Sequence, residues 1–117
     1  MNFIKKRDKI IEILELSGIN EILKSKSNFP DTLPAAIVSL ANRQGKNKID
    51  FCFAEHYFKF DIYIVIDDDQ TADEKIIKLI DNIDQNLQKH IFIAIENVEL
   101  YHSMINAKNV KIAKFYL

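Results

Sequence analysis

Phe58-Lys59-Phe60-Asp61-Ile62-Tyr63-Ile64-Val65-Ile66 decides how this chain folds. Phe58, Phe60, Ile62, Ile64 and Ile66 fall on one face of an extended backbone. Tyr57, Lys59, Asp61, Tyr63 and Val65 fall on the other. Successive side chains of a strand point to opposite faces, so this period of two predicts a long strand from Tyr57 to Ile66. Its apolar face needs a cover, and the next segment supplies one. Asp67, Asp68, Asp69 and Gln70 end the strand, and Thr71 to Lys89 then repeats apolar residues at helical spacing. Ile76, Ile80, Ile83 and Leu87 form one stripe, joined by Ile77. Thr71-Ala72-Asp73-Glu74 has the form of a capping box, in which hydroxyl and carboxylate satisfy free N–H groups reciprocally. Lys89 and His90 stand near the helix's negative end.

Working outward, Phe3 to Leu16 reads as a helix with Ile4, Ile11 and Leu14 on a stripe that Ile10 and Ile13 widen. Gly18 stands where a left-handed C-cap ends such a helix, and Ile19 follows as its hydrophobic latch. Ile22 and Leu23 fit a further helical turn or a short strand. Asn28 to Pro34 is a loop, because Pro30 and Pro34 each bias their predecessor away from helix. Pro34 suits a strand's start, where its missing N–H matters least, and Ala35 to Ala41 reads as that strand. Asn42 to Lys48 is polar, contains Gly45 and reads as a hairpin loop. Ile49 to Phe53 is the next strand, broken by Ala54, Glu55 and His56. After the second helix, Ile91, Ile93 and Ile95 alternate, as do Val110 and Ile112, with a turn over Asn106 to Asn109. Val98 to Ile105 fits either helix or strand. Pairing between sequence neighbours makes a mainly antiparallel sheet. The expected architecture is a single α+β domain over residues 1–117: four to six strands with two main helices on one face.

Composition narrows the function classes. The chain of 117 residues is 48% hydrophobic and 28% charged with a formal net charge of -1, so it has no global attraction for nucleic acid or anionic membranes. Arg7 and Arg43 are its only arginines, which counts against dedicated phosphate or base reading. Cys52 is the only cysteine, so no internal disulfide forms. The longest apolar run, Ile62 to Ile66, is too short to span a bilayer. Glu12 and Glu15 interrupt Ile10 to Leu16, which excludes a signal-peptide core there.

No residue set reads as an active site. Asp67, Asp68 and Asp69 are the most metal-like group, but they lack the alternation and following Gly of a calcium loop. Carboxylates just before a helix are favourable in their own right. His56, His90 and His102 have no ligand-type spacing. Cys52 and His56 fall four apart on a strand, a spacing that a semi-buried sheet cysteine explains as well as a nucleophile pair does. Phe51, Phe53, Tyr57, Phe58 and Phe60 interleave with Lys48 and Lys59, as in faces that stack single strands, but aromatics in a sheet are more simply core. Two glycines, Gly18 and Gly45, cannot build a phosphate loop. The expectation is a non-enzyme without cofactor or metal.

The layout as a whole resembles the tail terminator and tail-completion proteins of long-tailed bacteriophages and related prophage particles. The features that carry the resemblance are a leading helix, a Pro-rich loop opening into Leu33-Pro34-Ala35-Ala36-Ile37-Val38, and a polar hairpin. They continue with the long strand, the acidic loop into an amphipathic helix, and two closing strands. The resemblance implies a ring-forming structural protein of the virion, typically hexameric and assembled in the bacterial host cytoplasm. Such a ring caps the tail tube, joins it to the head connector and lets DNA pass through its lumen without sequence recognition. The competing class is a small immunity or antitoxin protein, with the Asp67–Asp69 cluster as its acidic patch. In the ring reading the candidate subunit contacts are Lys46 and Lys48 of one copy against Asp67, Asp68 and Asp69 of the next. The apolar terminus Phe115, Tyr116 and Leu117 docks on a neighbour, unless it folds back on its own core.

Overall fold

The computed structural model describes residues 3–25, 29–42 and 58–117. Its elements are α1 (Phe3–Leu16), β1 (Glu21–Leu23), β2 (Ala35–Asn42), β3 (Phe58–Asp67), α2 (Ala72–Ile91), β4 (Glu99–Ile105) and β5 (Lys108–Tyr116). The five strands form one sheet in the order β1-β2-β3-β5-β4. Three pairings are antiparallel and β1–β2 is parallel, which makes an α+β fold. The expected strand over Ile49 to Phe53 and the hairpin loop over Asn42 to Lys48 lie outside the described residues, apart from Asn42, which ends β2.

β3 is the middle strand, and its even-numbered face is the floor of the main core. Phe60, Ile62 and Ile64 are buried there with Ala36 and Val38 of β2 and Ala113 and Phe115 of β5. Ile76, Ile83 and Leu87 of α2 close over them, with Ile80 half-buried at the margin. α1 adds Ile10, Ile13 and Leu14 to the same cluster, so both helices lie on one face. The opposite face holds a smaller cluster of Val65, Val110 and Ile112, edged by Leu33, Tyr63 and Ile105.

The helix ends follow local chemistry. Gly18 takes φ +95, and its N–H reaches the Glu15 carbonyl while the Ile19 N–H reaches that of Leu14. This is the Schellman pattern, and Ile19 and Leu14 are buried together as its hydrophobic contact. The buried stripe of α1 runs through Ile10, Ile13, Leu14 and Ser17, spaced by three, one and three. Ile4 is therefore not on it, contrary to expectation; it is 63% exposed, and Ile11 lies on the margin. The start of α2 also differs from expectation. Thr71 makes no side-chain cap bond to the helix. Its backbone N–H and its hydroxyl both donate to Asp69 Oδ1, each at 2.8 Å. Asp69 folds the loop as an Asx turn, and this local bond competes with the capping box and replaces it.

Ile22 and Leu23 resolve as strand. β1 runs parallel to β2, and the loop over residues 29–34 leads into β2. The Glu21 carboxylate holds that loop by accepting the N–H groups of Asp31 and Thr32 at 2.8 and 2.9 Å. Val98 to Ile105 also resolves as strand from Glu99 on, and Asn106 and Ala107 join β4 to β5 with φ of 51° and 62°. Two positive φ values are what the tightest hairpins require.

The expected strand over Ile91, Ile93 and Ile95 does not form. Ile91 closes α2, and residues 92–98 pair with no strand among the described residues. The alternation is nevertheless real, because Ile91, Ile93 and Ile95 turn toward the core while Phe92, Ala94 and Glu96 are exposed. Period two reports an extended backbone, not a ladder. The Ile95 N–H goes to Asp84 Oδ1 of α2 instead, at 2.8 Å. Among the described residues, no helix is long and apolar enough to cross a membrane.

Ile64 is fully buried between α2 and the sheet. Ile64→Ala is expected to cost about 2–5 kcal/mol, read from the urea midpoint, and a loss under about 0.5 kcal/mol overturns this assignment of faces.

Candidate functional site

The three consecutive aspartates sit where β3 runs out, and each is fastened to a different element of the same chain. Asp67 Oδ1 lies 2.8 Å from Lys108 Nζ, at the start of β5. Asp68 Oδ2 lies 2.6 Å from His102 Nδ1 in β4, and the Asp68 N–H donates to the Asn109 carbonyl. Asp69 takes the two bonds from Thr71, and its second oxygen accepts from Lys75 Nζ at 3.0 Å. Nearby, the stem of Lys111 is buried and its ammonium reaches Asp73 Oδ1 at 2.6 Å. The acidic run thus joins the strand's end to α2 and to the β4–β5 hairpin. Each of its carboxylates is paired within the chain. Among the described residues no cluster has the makings of a metal site.

These contacts set the titration of two carboxylates. The hydrogen bond from Lys75, then those from the Thr71 hydroxyl and N–H, hold Asp69 below the ordinary carboxylate range. The hydrogen bond and charge of Lys111 do the same for Asp73. On the opposite face of the sheet Lys114 is pushed up to about 12, chiefly by its hydrogen bond with the Tyr116 side chain. Its ammonium also lies 5.2 Å from the Tyr116 ring centre and 5.5 Å from that of Tyr63.

The terminus folds back on its own core, the second of the two readings left open above. Phe115 and Leu117 are buried in the chain's own core, and Tyr116 is half-buried. The reason is pairing and facing: the end of β5 pairs with β3, and Phe115 and Leu117 fall on the face that the helices cover. Leu117 exchanges both backbone hydrogen bonds with Phe60, at 2.8 and 2.9 Å. Phe115 and Leu117 therefore have no surface left for a neighbour. Lys46 and Lys48 lie outside the described residues, and so do Cys52, His56 and the aromatics from Phe51 to Tyr57.

What the structure brings together instead is the edge at β4. This strand pairs on one side with β5 and on the other with nothing among the described residues. Every residue from Glu99 to Met104 is exposed, including Leu100 at 51% and Met104 at 63%. Between β4 and α2 runs a groove of about 320 Å³ lined by Ile77, Ile80, Ile95, Val98 and Leu100, with Asp81 and Asp84 also lining it. A larger cleft of about 550 Å³ lies on α2's other flank, beside Leu33, Pro34, Lys78 and Leu79. The sequence carries one signal for the β4 edge: a tight turn at Asn106 needs a strand directly before it.

No family model and no curated protein matches this sequence.

Two measurements check the acidic loop. Titration calorimetry with Mg²⁺ and with Ca²⁺ is expected to show no site tighter than about millimolar; a micromolar site lost in Asp68→Asn overturns the structural role. The second is acid unfolding. Asp69 and Asp73 titrate lower in the folded chain than in the unfolded one, so the folded state binds fewer protons in acid. Their contribution is whole above the ordinary carboxylate range and is lost as pH falls through the depressed folded values. Asp69→Asn and Asp73→Asn are each expected to flatten the fall of the urea midpoint below about pH 4, where unfolded carboxylates take up protons. Unchanged slopes in both variants refute the assignment.

Proposed function

We propose that this chain is a structural assembly subunit of a phage or phage-like tail, forming a ring that terminates the tail tube and joins it to the head connector. On this reading it catalyses nothing and its residues act by contact. Its partners are further copies of itself, the tube and connector proteins, and DNA that passes the lumen unread. It works in the virion after assembly in the bacterial host cytoplasm.

The observation that carries the reading is the β4 edge. An unpaired strand edge is a template for another chain, and proteins that stay single protect such edges with charge, proline, bulges or shortness. β4 has only Glu99 among these devices, and it places Leu100, Tyr101 and Met104 in water. The other edge, β1, is only three residues long. An exposed apolar edge of this kind fits a subunit that is covered in its assembly. The order of elements adds support: one helix, a Pro-flanked strand, a long central strand, an acidic loop into an amphipathic helix, and two closing strands.

The purified protein is expected to run on size exclusion with light scattering as a closed multiple of its 13.6 kDa chain. Negative-stain images are expected to show rings with an open centre. A chain that stays single at every concentration and forms no ring with tail-tube protein refutes the proposal.

A further inference from the structure

We infer that the β4 edge and the groove beside it receive an extended cationic segment of another protein, which adds as a strand beyond β4. This goes beyond the ring reading and does not rest on it, since it needs only an accessible β4. The backbone of β4 is the first observation that selects such a partner. Asn106 and Ala107 join β4 to β5, and a two-residue turn closes on a hydrogen-bonded pair, here Ile105 and Lys108. Hydrogen-bonded and non-hydrogen-bonded pairs alternate along an antiparallel ladder. Glu99, Tyr101, Ser103 and Ile105 therefore direct their backbone groups to β5, while Leu100, His102 and Met104 direct theirs outward. No other described residue takes those outward groups up. An added peptide strand does so with its own N–H and C=O groups, and the pockets for its alternate side chains select its sequence.

The groove supplies the second observation. Directly opposite residues of a ladder share a face, and Leu100 stands opposite Ala113 of the main core. Leu100 and, four residues on, Met104 thus lie on the helix side of the sheet, where an added strand turns every second side chain. Ile77, 62% exposed, and Val98 stand open in the same groove as Leu100. The charged residues in its lining are Asp81 and Asp84. Gln85 donates to Asp81, while Gln88 and the Ile95 N–H donate to Asp84. These donors are neutral, and neither aspartate pairs with a cation among the described residues. Lys78, three positions before Asp81, lines the cleft on the other flank of α2.

The groove has a direction. Lys111, opposite His102 in the ladder, holds Asp73 at the start of α2, whereas Ile95, which precedes β4, holds Asp84 further along. Apolar contact is therefore offered beside Leu100, and negative charge toward the start of β4. The complementary segment has apolar side chains at alternate positions and Lys or Arg at the end nearest Asp81 and Asp84. The same charges repel nucleic acid and anionic lipid. They also disfavour pairing β4 with β4 of a second copy, which sets two acidic grooves side by side. The opposite edge of the sheet, β1, has three residues and does not span Leu100 to Met104.

The test titrates the full chain into short fluorescein-labelled peptides with Val at alternate positions and Lys at one end, made in both chain directions. For the direction that binds more tightly, Glu in place of Lys is expected to weaken binding about tenfold or more. Hydrogen exchange is expected to slow at the amides of Leu100, His102 and Met104. Asp81→Lys is expected to reverse the preference between the two peptides. Asp81→Asn, which keeps an acceptor for Gln85, is expected to remove most of it, and it decides the matter if circular dichroism shows that Asp81→Lys does not fold. Lysine and glutamate peptides that bind alike overturn the inference. So do binding that leaves the three amides unprotected and the absence of binding below about millimolar. Amides of β4 that are protected in the free chain, and more so at higher concentration, assign the edge to a second copy; this overturns the inference and leaves the ring reading standing. A chain that binds the lysine peptide along β4 yet stays single and forms no ring upholds the inference and refutes the ring reading.

Discussion

The structure depends on the burial of one face of β3. Phe60, Ile62 and Ile64 are each at most 2% exposed, and they are covered by both helices and flanked by strands on both sides. Fully burying a side chain of this size is worth about 1.5–3 kcal/mol. An exposed ion pair is worth about 0–1 kcal/mol. The pairs at the acidic loop are largely exposed, so they orient the connection into α2 and the hairpin while the apolar layer supplies the stability. The alternation of β3 also sets its register, since a slip of one residue moves Ile62 and Ile64 off the helix-covered face and puts Asp61 and Lys59 under the helices.

Placing β3 in the middle has consequences at both edges. After α2 the chain does not return to β3 directly. It runs out along residues 92–98 to the far edge, makes β4, and turns at Asn106 and Ala107 to insert β5 beside β3. The final residues are thereby drawn into the core, and β4 is left outside. Three of the apolar side chains that remain uncovered, Leu100, Met104 and Ile77, belong to β4 and to α2. The same topology that closes the core leaves a surface suited to another chain.

The acidic loop shows how one short segment can replace several devices. Asp69 does what Thr71 and Glu74 were expected to do, by folding the turn before α2 and pairing with its first turn through Lys75. Asp67 and Asp68 hold the hairpin that carries β4. Carboxylates before a helix start are favourable even without these partners, so the run has a structural account complete in itself.

The elements readable from the sequence were those set by local periodicity and local backbone chemistry. They are the two faces of β3, the stripe of α2 through Ile76, Ile83 and Leu87, the left-handed cap at Gly18, and the strand opening after Pro34. Each depends on residues within a few positions of one another, so the pattern and its cause lie in the same stretch. What only the tertiary structure decided was which extended segment found a partner. Ile91, Ile93 and Ile95 alternate as cleanly as a strand and join no strand among the described residues, while Glu99 to Ile105, with no clear period, pairs along its whole length. Phe115 and Leu117 looked like a free apolar end and are core, because the end of β5 pairs with β3 and turns them to the helix-covered face. Of the residues expected to join subunits, Lys46 and Lys48 lie outside the described residues, and the aspartates are engaged within the chain. The groove beside β4 had no single signature, because its wall comes from α2, from residues 92–98 and from β4. Period and composition are properties of one segment, whereas pairing order and grooves are set by competition among distant segments for the same buried surface.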